Sequence, residues 1–281
     1  MSNDQLAAST SWVNGEPVDN ISISDRGLAY GDGVFETILI NAKGPVLFDA
    51  HLERLCQGLR QLAIEADPGL LGNELRDYMG ECGPEPKIIK YIVTRGQGGR
   101  GYGAAGTKGP NRILSRHPAP QYPKSYCAQG IRLFACKSRL GHDPRLAKIK
   151  HLNRLPQVLA RAEWNDSRYQ EGLLQDLDGN VIEGVFSNVF VVVGDEIKTP
   201  NLDRCGVEGV MAQWLKTQFQ SNGVNVAEAN ISLQEFEQAE EVFLCNSVYG
   251  VWPVAQFKQQ HWAAGKVAAQ ASSWVKEQWG L

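Results

Sequence analysis

Alternating and stripe-like apolar positions divide this chain into a series of strands with a few helices. Val34-Phe35-Glu36-Thr37-Ile38-Leu39-Ile40 is rich in β-branched and aromatic side chains and reads as a strand entered from Gly31-Asp32-Gly33. Upstream, Trp12-Val13 and Val18 to Ile23 read as two short strands about Asn14-Gly15-Glu16-Pro17, because Asn-Gly between such runs signals a hairpin. Asn41 to Gly44 turns the chain and Pro45 to Phe48 returns it. Asp49 then caps a helix whose Leu52, Leu55, Leu59 and Leu62 form one apolar stripe. A second helix is expected over Leu70 to Met79, a strand over Lys87 to Thr94, and another through Arg112 to Ser115.

His117-Pro118-Ala119-Pro120-Gln121-Tyr122-Pro123 interrupts this pattern. Its prolines lack N–H donors and fix φ, so the stretch suits neither a sheet interior nor a helix interior. It is read as a linker, with an ordinary surface loop as the alternative. The division expected is an N-terminal α+β domain over 1–116, a linker over 117–123, and a C-terminal α+β domain over 124–281 that carries Lys150. In that second part Ile131 to Cys136 reads as a strand. Leu152 to Trp164 reads as a helix with Leu155, Val158, Leu159 and Ala162 inward. Glu171 to Leu177 and Val181 to Val193 are strands around Asp178-Gly179-Asn180, and Gly194-Asp195-Glu196 turns into Ile197-Lys198-Thr199. Such a meander favours α+β over a doubly wound sheet. Helix is expected at Gly209 to Gln220, with Gly223 just past its end, and over the last twenty residues; Glu241 to Cys245 is a strand.

Composition narrows the class. With 43% hydrophobic, 21% charged and 9% aromatic residues in 281, the chain is globular and long enough for two domains. A net charge of -3 supplies no electrostatic footprint for nucleic acid, and no apolar run approaches the roughly 18 residues that span a bilayer. Met1 to Ser11 is polar, without the regions of a signal peptide. The six cysteines form no CxxC pair, which favours reduced thiols and a cytoplasmic location.

Most familiar catalytic sets are absent from the sequence: there is no HExxH, GxSxG, GxxxxGK[ST] or EF-hand loop. None of the five histidines pairs with cysteine at zinc-ligand spacing, so no metal is expected. Gly96-Gln97-Gly98-Gly99-Arg100-Gly101 follows a strand but opens no helix, which removes the N-terminus a dinucleotide pyrophosphate needs. Three features remain. In Ile149-Lys150-His151-Leu152-Asn153-Arg154-Leu155, a lysine beside apolar residues is partly desolvated, which frees a nucleophilic amine for a Schiff base; the plain alternative is a solvated lysine. Glu183, inside the apolar run Val181 to Val191, needs a partner such as a pyridinium nitrogen, unless it is a strand-edge glutamate. Gly206-Val207-Glu208-Gly209-Val210-Met211 opens a helix whose N–H groups suit phosphate, or is simply a glycine turn. Together they fit a phosphate-bearing pyridine cofactor.

At these residues the sequence resembles the fold-type IV pyridoxal-phosphate enzymes, the group of D-amino-acid and branched-chain transaminases, and within it the aminodeoxychorismate lyases. The matching segments run from Tyr30-Gly31-Asp32-Gly33-Val34-Phe35-Glu36-Thr37 to Cys245-Asn246-Ser247 with Pro253-Val254, nearly the whole chain. IKHLNRL, Arg95-Gly96-Gln97-Gly98-Gly99-Arg100-Gly101-Tyr102 and Cys245-Asn246-Ser247 are each closer to the lyases; D-amino-acid transaminases carry histidine where this chain has Tyr102. The resemblance implies pyridoxal 5'-phosphate as cofactor, with Lys150 its Schiff-base lysine and Glu183 on the pyridine nitrogen. It implies that Arg54, the backbone of Val210 and Met211, and the Ser247 hydroxyl hold the phosphate. It also implies conversion of 4-amino-4-deoxychorismate, a small-molecule substrate, to 4-aminobenzoate and pyruvate, and a homodimer. Arg100 is the first candidate for the substrate carboxylates, with Tyr30 and Tyr102 as hydroxyl donors; Arg26 and Arg112 read as structural. A D- or branched-chain transaminase is the alternative, and a non-catalytic binding protein of the same fold a remoter one.

Overall fold

The computed structural model describes residues 11–280; residues 1–10, on which most of the polar N-terminal reading rests, lie outside them, as does Leu281. The chain forms two compact units. One comprises the residues up to Ala119 together with Lys150–Asn153, and the other comprises Pro120–Ile149 and the residues from Arg154 onward.

In the first unit five antiparallel strands stand in the order β1 (Ser11–Val13), β5 (Asn111–Pro118), β4 (Lys87–Thr94), β2 (Gly33–Asn41), β3 (Gly44–Pro45). Helices α1 (Arg26–Tyr30), α2 (Phe48–Gln61) and α3 (Pro68–Glu81) accompany them. Val34, Ile38, Ile89, Tyr91, Val93 and Leu114 form a core with Leu55 and Leu59 of α2 and Leu71 and Leu75 of α3. Burying each such side chain contributes about 1.5–3 kcal/mol. Asp49 is not the cap of α2. Leu47, in left-handed backbone at φ 54, holds that position with no side-chain hydrogen bond, and Asp49 sits in the first turn, where its charge suits the helix dipole. Pro68 opens α3 behind Asp67, which accepts from Gly69 N at 2.8 Å, so the helix begins before Leu70. Val18 to Ile23 forms no strand, since pairing of the N-terminal hairpin stops at Val13 and Glu16. His117 and Pro118 belong to β5 opposite Ile88 and Lys87, so the linker reading contracts to 119–123. Pro118 is the last residue of β5, a terminal position in its ladder with β4.

In the second unit the strands are β6 (Ile131–Leu140), β7 (Glu171–Asp176), β8 (Asn180–Gly184), β9 (Asn188–Val193), β10 (Glu196–Pro200), β11 (Val226–Ala229), β12 (Ile231–Ser232), β13 (Glu241–Asn246), β14 (Gly250–Phe257) and β15 (Gln260–His261). They are ordered β11-β10-β9-β13-β14-β6-β7-β8-β12, with β15 on β14, and a further pairing of β8 with β9 closes a ring of six. Helices α4 (Lys124–Gln129), α5 (Leu155–Arg161), α6 (Val210–Ser221), α7 (Leu233–Gln238) and α8 (Lys266–Trp279) flank them. Two sequence readings fail here. The run Val181 to Val193 is two strands, because the chain doubles back between Gly184 and Asn188; a Cβ at Gly184 would lie 2.1 Å from Ser187 Oγ. The helix expected from Leu152 spans only Leu155–Arg161. Its Leu155, Val158 and Leu159 are 65%, 60% and 57% exposed, while Ala160 is the buried residue. Residues 151–153 lie outside the helix, with His151 bridged to Val34, and Pro156 suits only a first helical turn.

Candidate active site

In the first unit the segment Lys150–Asn153 lies along the start of β2. Phe35 N donates to Lys150 O at 2.9 Å, Leu152 N donates to Gly33 O at 2.9 Å, and Val34 bridges His151. Gly33 permits this approach, since a Cβ there would sit 2.4 Å from Val93 O and 2.9 Å from Leu152. The lysine reading therefore needs one correction: Lys150 belongs to the N-terminal compact unit although it lies within the C-terminal half of the chain. Its Nζ lies 4.5 Å from the centre of the Phe35 ring, within reach of a cation–π contact.

On the next residue of β2, Glu36 is 1% exposed and gathers two side chains of α2. Arg54 grips it in a fork, Nε to Oε1 at 2.8 Å and Nη2 to Oε2 at 2.5 Å, while His51 Nδ1 lies 2.6 Å from Oε2. His51 and Arg54 are three residues apart and so share one helix face. Burial alone would raise the Glu36 pKa, but the charges and hydrogen bonds of Arg54 and His51 outweigh it and hold it at about 2. Glu36 is thus an acceptor, so His51 Nδ1–H donates. Burial keeps the imidazole pKa below its usual value although Glu36 pulls the other way. His51 Nε2 is buried with no hydrogen-bond partner among the described residues.

Of the expected substrate residues, Tyr30 ends α1 and meets the Tyr102 ring edge-on at 5.4 Å, and Tyr102 is 85% exposed. Arg100 stands exposed on the same loop as Tyr102, between β4 and β5.

In the second unit Glu183 is 4% exposed on β8. Its Oε2 accepts from Val207 N at 2.8 Å and its Oε1 from Gln157 Nε2 at 3.2 Å. Gly206, at φ 92, takes the left-handed turn that presents Val207 N, and a Cβ there would lie 2.8 Å from both Ile182 and Leu202. Lys148 pairs alongside: its N donates to Gly206 O and its O accepts from Glu208 N, both at 2.9 Å. The Lys148 ammonium is committed to Asp203 at 2.5 Å, a bond that raises its pKa and keeps it charged.

Three residues on, α6 starts at Val210 with Gly209 as N-cap and no side-chain cap. A Cβ at Gly209 would fall 1.9 Å from Asn188 Oδ1, and Asn188 Nδ2 donates to Val207 O at 2.8 Å. Asn188 also faces Glu183 on one side and Cys245 on the other, so one register joins β8, β9 and β13. Ser247, 9% exposed, follows in the turn after β13. The structure thus draws Glu183, Val207 and the helix start together. Behind them Glu171 of β7 is fully buried, accepting from Gly172 N (2.9 Å), Val185 N (3.1 Å), Phe186 N (3.3 Å) and Ser187 Oγ (2.8 Å). Burial pushes its pKa up to about 7 despite those donors.

Residue type alone did not reveal Glu36, His51, Gln157 or Asn188. The spacing of His51 and Arg54 on one helix face was the available signal for the first pair. The donor set fits the cofactor that the sequence suggests. An uncapped helix start with a close-packed glycine suits a phosphate. A buried carboxylate suits a protonated ring nitrogen, and a lysine amine suits a carbonyl carbon.

Comparison with known proteins gives the class of the chain. Residues 33–257 match the amino-transferase class IV family, and the chain belongs to it. The fold is similar to the crystal structure of 4-amino-4-deoxychorismate lyase from Pseudomonas aeruginosa, with a TM-score of 0.93 and 45% identity over 96% of this chain and 100% of that one. Aminodeoxychorismate lyase from Vibrio harveyi is 35% identical over 246 residues, 87% of this chain and 90% of its own length. A branched-chain aminotransferase from Thermoproteus uzoniensis shares the fold at a TM-score of 0.86 with 19% identity, covering 96% of this chain and 94% of that one.

Proposed function

We propose that this protein is a pyridoxal 5'-phosphate-dependent lyase that converts 4-amino-4-deoxychorismate into 4-aminobenzoate and pyruvate. The observation that carries the reading is the hydrogen-bonded Glu183 beside the uncapped start of α6, in a chain 45% identical to a lyase of that name. The cofactor supplies an electron sink for charge developing at the amine-bearing carbon, and departure of the enolpyruvyl group as pyruvate completes an aromatic ring. Arg54, the amides of Val210 and Met211 and the Ser247 hydroxyl hold the phosphate. Glu36 orients Arg54 through its two-point grip. Glu183 keeps a proton on the ring nitrogen, and Gln157 and Val207 N fix its two oxygens. Lys150 would be the residue that holds the cofactor through its amine, and its Nζ, once neutral and free, would take the proton from the amine-bearing carbon of the substrate. Arg100, with Tyr30 and Tyr102, receives the substrate carboxylates.

The working form is a homodimer in the cytoplasm. Exposed Leu155, Val158 and Leu159 on α5 support an interface there, and six cysteines without a disulfide support a reducing compartment. Among the described residues no helix is long and apolar enough to cross a membrane. The test is a visible spectrum of purified protein, repeated after adding enzymatically made aminodeoxychorismate while pyruvate and aminobenzoate are followed. A yellow protein releasing both in equal amounts supports the lyase. A yellow protein that releases no pyruvate but is bleached by a D- or L-amino acid is a transaminase. A colourless protein that pyridoxal phosphate cannot reconstitute overturns the cofactor assignment.

A further inference from the structure

Residues 99–106, Gly-Arg-Gly-Tyr-Gly-Ala-Ala-Gly, contain four glycines and form neither strand nor helix. Such a segment has high backbone freedom and few side chains with which to hold itself. Its base is pinned at the start of α1, where Arg26 N donates to Gly96 O at 2.9 Å and Gly98 N donates to Ser24 O at 3.1 Å, and its two legs are tied by Lys108 N donating to Gln97 O at 3.1 Å. The main chain of its tip is held by the Arg26 side chain. The guanidinium of Arg26, a residue only 4% exposed, donates through Nη1 to Gly101 O (3.0 Å) and Gly103 O (3.2 Å), and through Nη2 to Tyr102 O (3.0 Å). Nε donates to Asp32 Oδ2 at 2.9 Å.

That oxygen also accepts from Arg95 Nε at 2.8 Å, and the far end of Arg95 reaches Leu62 O (2.6 Å) and Ala63 O (2.8 Å) just beyond α2. Partial burial alone would raise the Asp32 pKa, but the hydrogen bonds and charges of the two arginines hold it below the usual range. A buried arginine with one carboxylate to balance it, spending its other donors on main-chain carbonyls, fixes the backbone of its target without occupying the side chains' polar groups. Tyr30 packs into the same assembly, its ring 4.9 Å from the Arg26 guanidinium carbon and 5.4 Å from the Tyr102 ring. Gly98 lets the arginine stem pass, for a Cβ there would lie 2.8 Å from Arg26 Cδ.

We propose that Arg26 is a positioning residue for substrate recognition: it holds the 99–106 loop as a preformed rim on which Arg100 and Tyr102 meet the carboxylates of the substrate. This rests on the lyase reading above. Lysine cannot replace it, since one ammonium cannot reach three successive carbonyls and Asp32 together.

The test compares full-length wild type with Arg26→Lys, and with Gly98→Ala as a milder displacement of the same side chain. Amide hydrogen exchange is measured on the apo and cofactor-loaded proteins, and kcat and KM on the loaded ones. The expected result is exchange at 99–106 at least tenfold faster, with β2 and β4 unchanged. KM for aminodeoxychorismate rises at least tenfold, kcat stays within threefold, and the visible spectrum does not move. Arg100→Ala raises KM without changing loop exchange. Unchanged loop exchange in both variants, or faster exchange with unchanged KM, overturns the proposal. A wild type that makes no aminobenzoate sinks the lyase reading and the substrate half of this proposal, while loop exchange still decides the clamp.

Discussion

Replacing Glu171 with glutamine should reshape the pH dependence of stability in the second unit. The carboxyl is fully buried and accepts four hydrogen bonds, all from uncharged donors, and its pKa rises from 4.5 to about 7. A carboxyl with a raised folded-state pKa gives its full stability below the unfolded value and loses it as pH climbs through the folded one. The loss therefore accumulates between pH 4.5 and about 7. At about 1.4 kcal/mol for each pH unit of that span, it amounts to about 3 kcal/mol. The amide introduced by Glu171→Gln does not titrate; its oxygen still accepts from Gly172 and Val185, while its NH2 faces Ser187 Oγ, to which it can donate, and Phe186 N, which loses its acceptor there. The variant should be slightly less stable than wild type at pH 4.5 and should gain about 3 kcal/mol on it by about pH 8. Urea unfolding followed by tryptophan fluorescence measures this directly. Of the seven tryptophans only Trp12 lies in the first unit, and Trp252 stacks on Tyr249 at 3.7 Å in the second. A stability difference between variant and wild type that is the same at about pH 5 and about pH 8 would refute the argument.

Three further expectations concern the candidate site. Lys150→Ala should abolish the visible band of the loaded enzyme; a band retained with activity would move the cofactor to Lys148, despite its ion pair with Asp203. Glu183→Gln should leave the cofactor bound and slow proton abstraction roughly 100-fold or more, read as loss of kcat in stopped-flow; unchanged turnover would remove its role. Glu36 has the opposite shift to Glu171, from 4.5 to about 2, so its stabilisation of about 3 kcal/mol is present above pH 4.5 and lost as pH falls towards 2. Acid unfolding of the first unit, followed by amide exchange in α2, should lose that pH slope in Glu36→Gln.

The sequence showed the framework well and its punctuation less well. Stripes and β-branched runs located β2, β4, α2, α6 and α8, because their periodicity is the burial pattern itself. Val181 to Val193 looked continuous because Gly184 to Asn188 carries apolar residues too, and the turn is held largely by acceptors on a distant strand, the Glu171 carboxylate and Gly172 O. The α5 stripe had the right spacing and the wrong destination: periodicity reports an apolar face without saying what covers it. In the site, Lys150 and Glu183 stood out because their chemistry is costly in apolar surroundings. Gln157 and Asn188 did not, since an amide is unremarkable until a partner 26 or 19 residues away is known. Arg26 read as merely structural for the same reason, its partners lying 75–77 residues on.

The four residues Lys150–Asn153 make the two units interleaved rather than consecutive. The chain leaves the first unit at Ala119, returns for Lys150, and departs again after Asn153. A protease cut within 119–123 therefore severs only one of three crossings. A gene fragment ending at Ala119 would encode a sheet whose β2 lacks the strip satisfying Phe35 N and Gly33 O. Splitting this enzyme into two separately made halves, or permuting its termini to the linker, must keep residues 150–153 in covalent register with both.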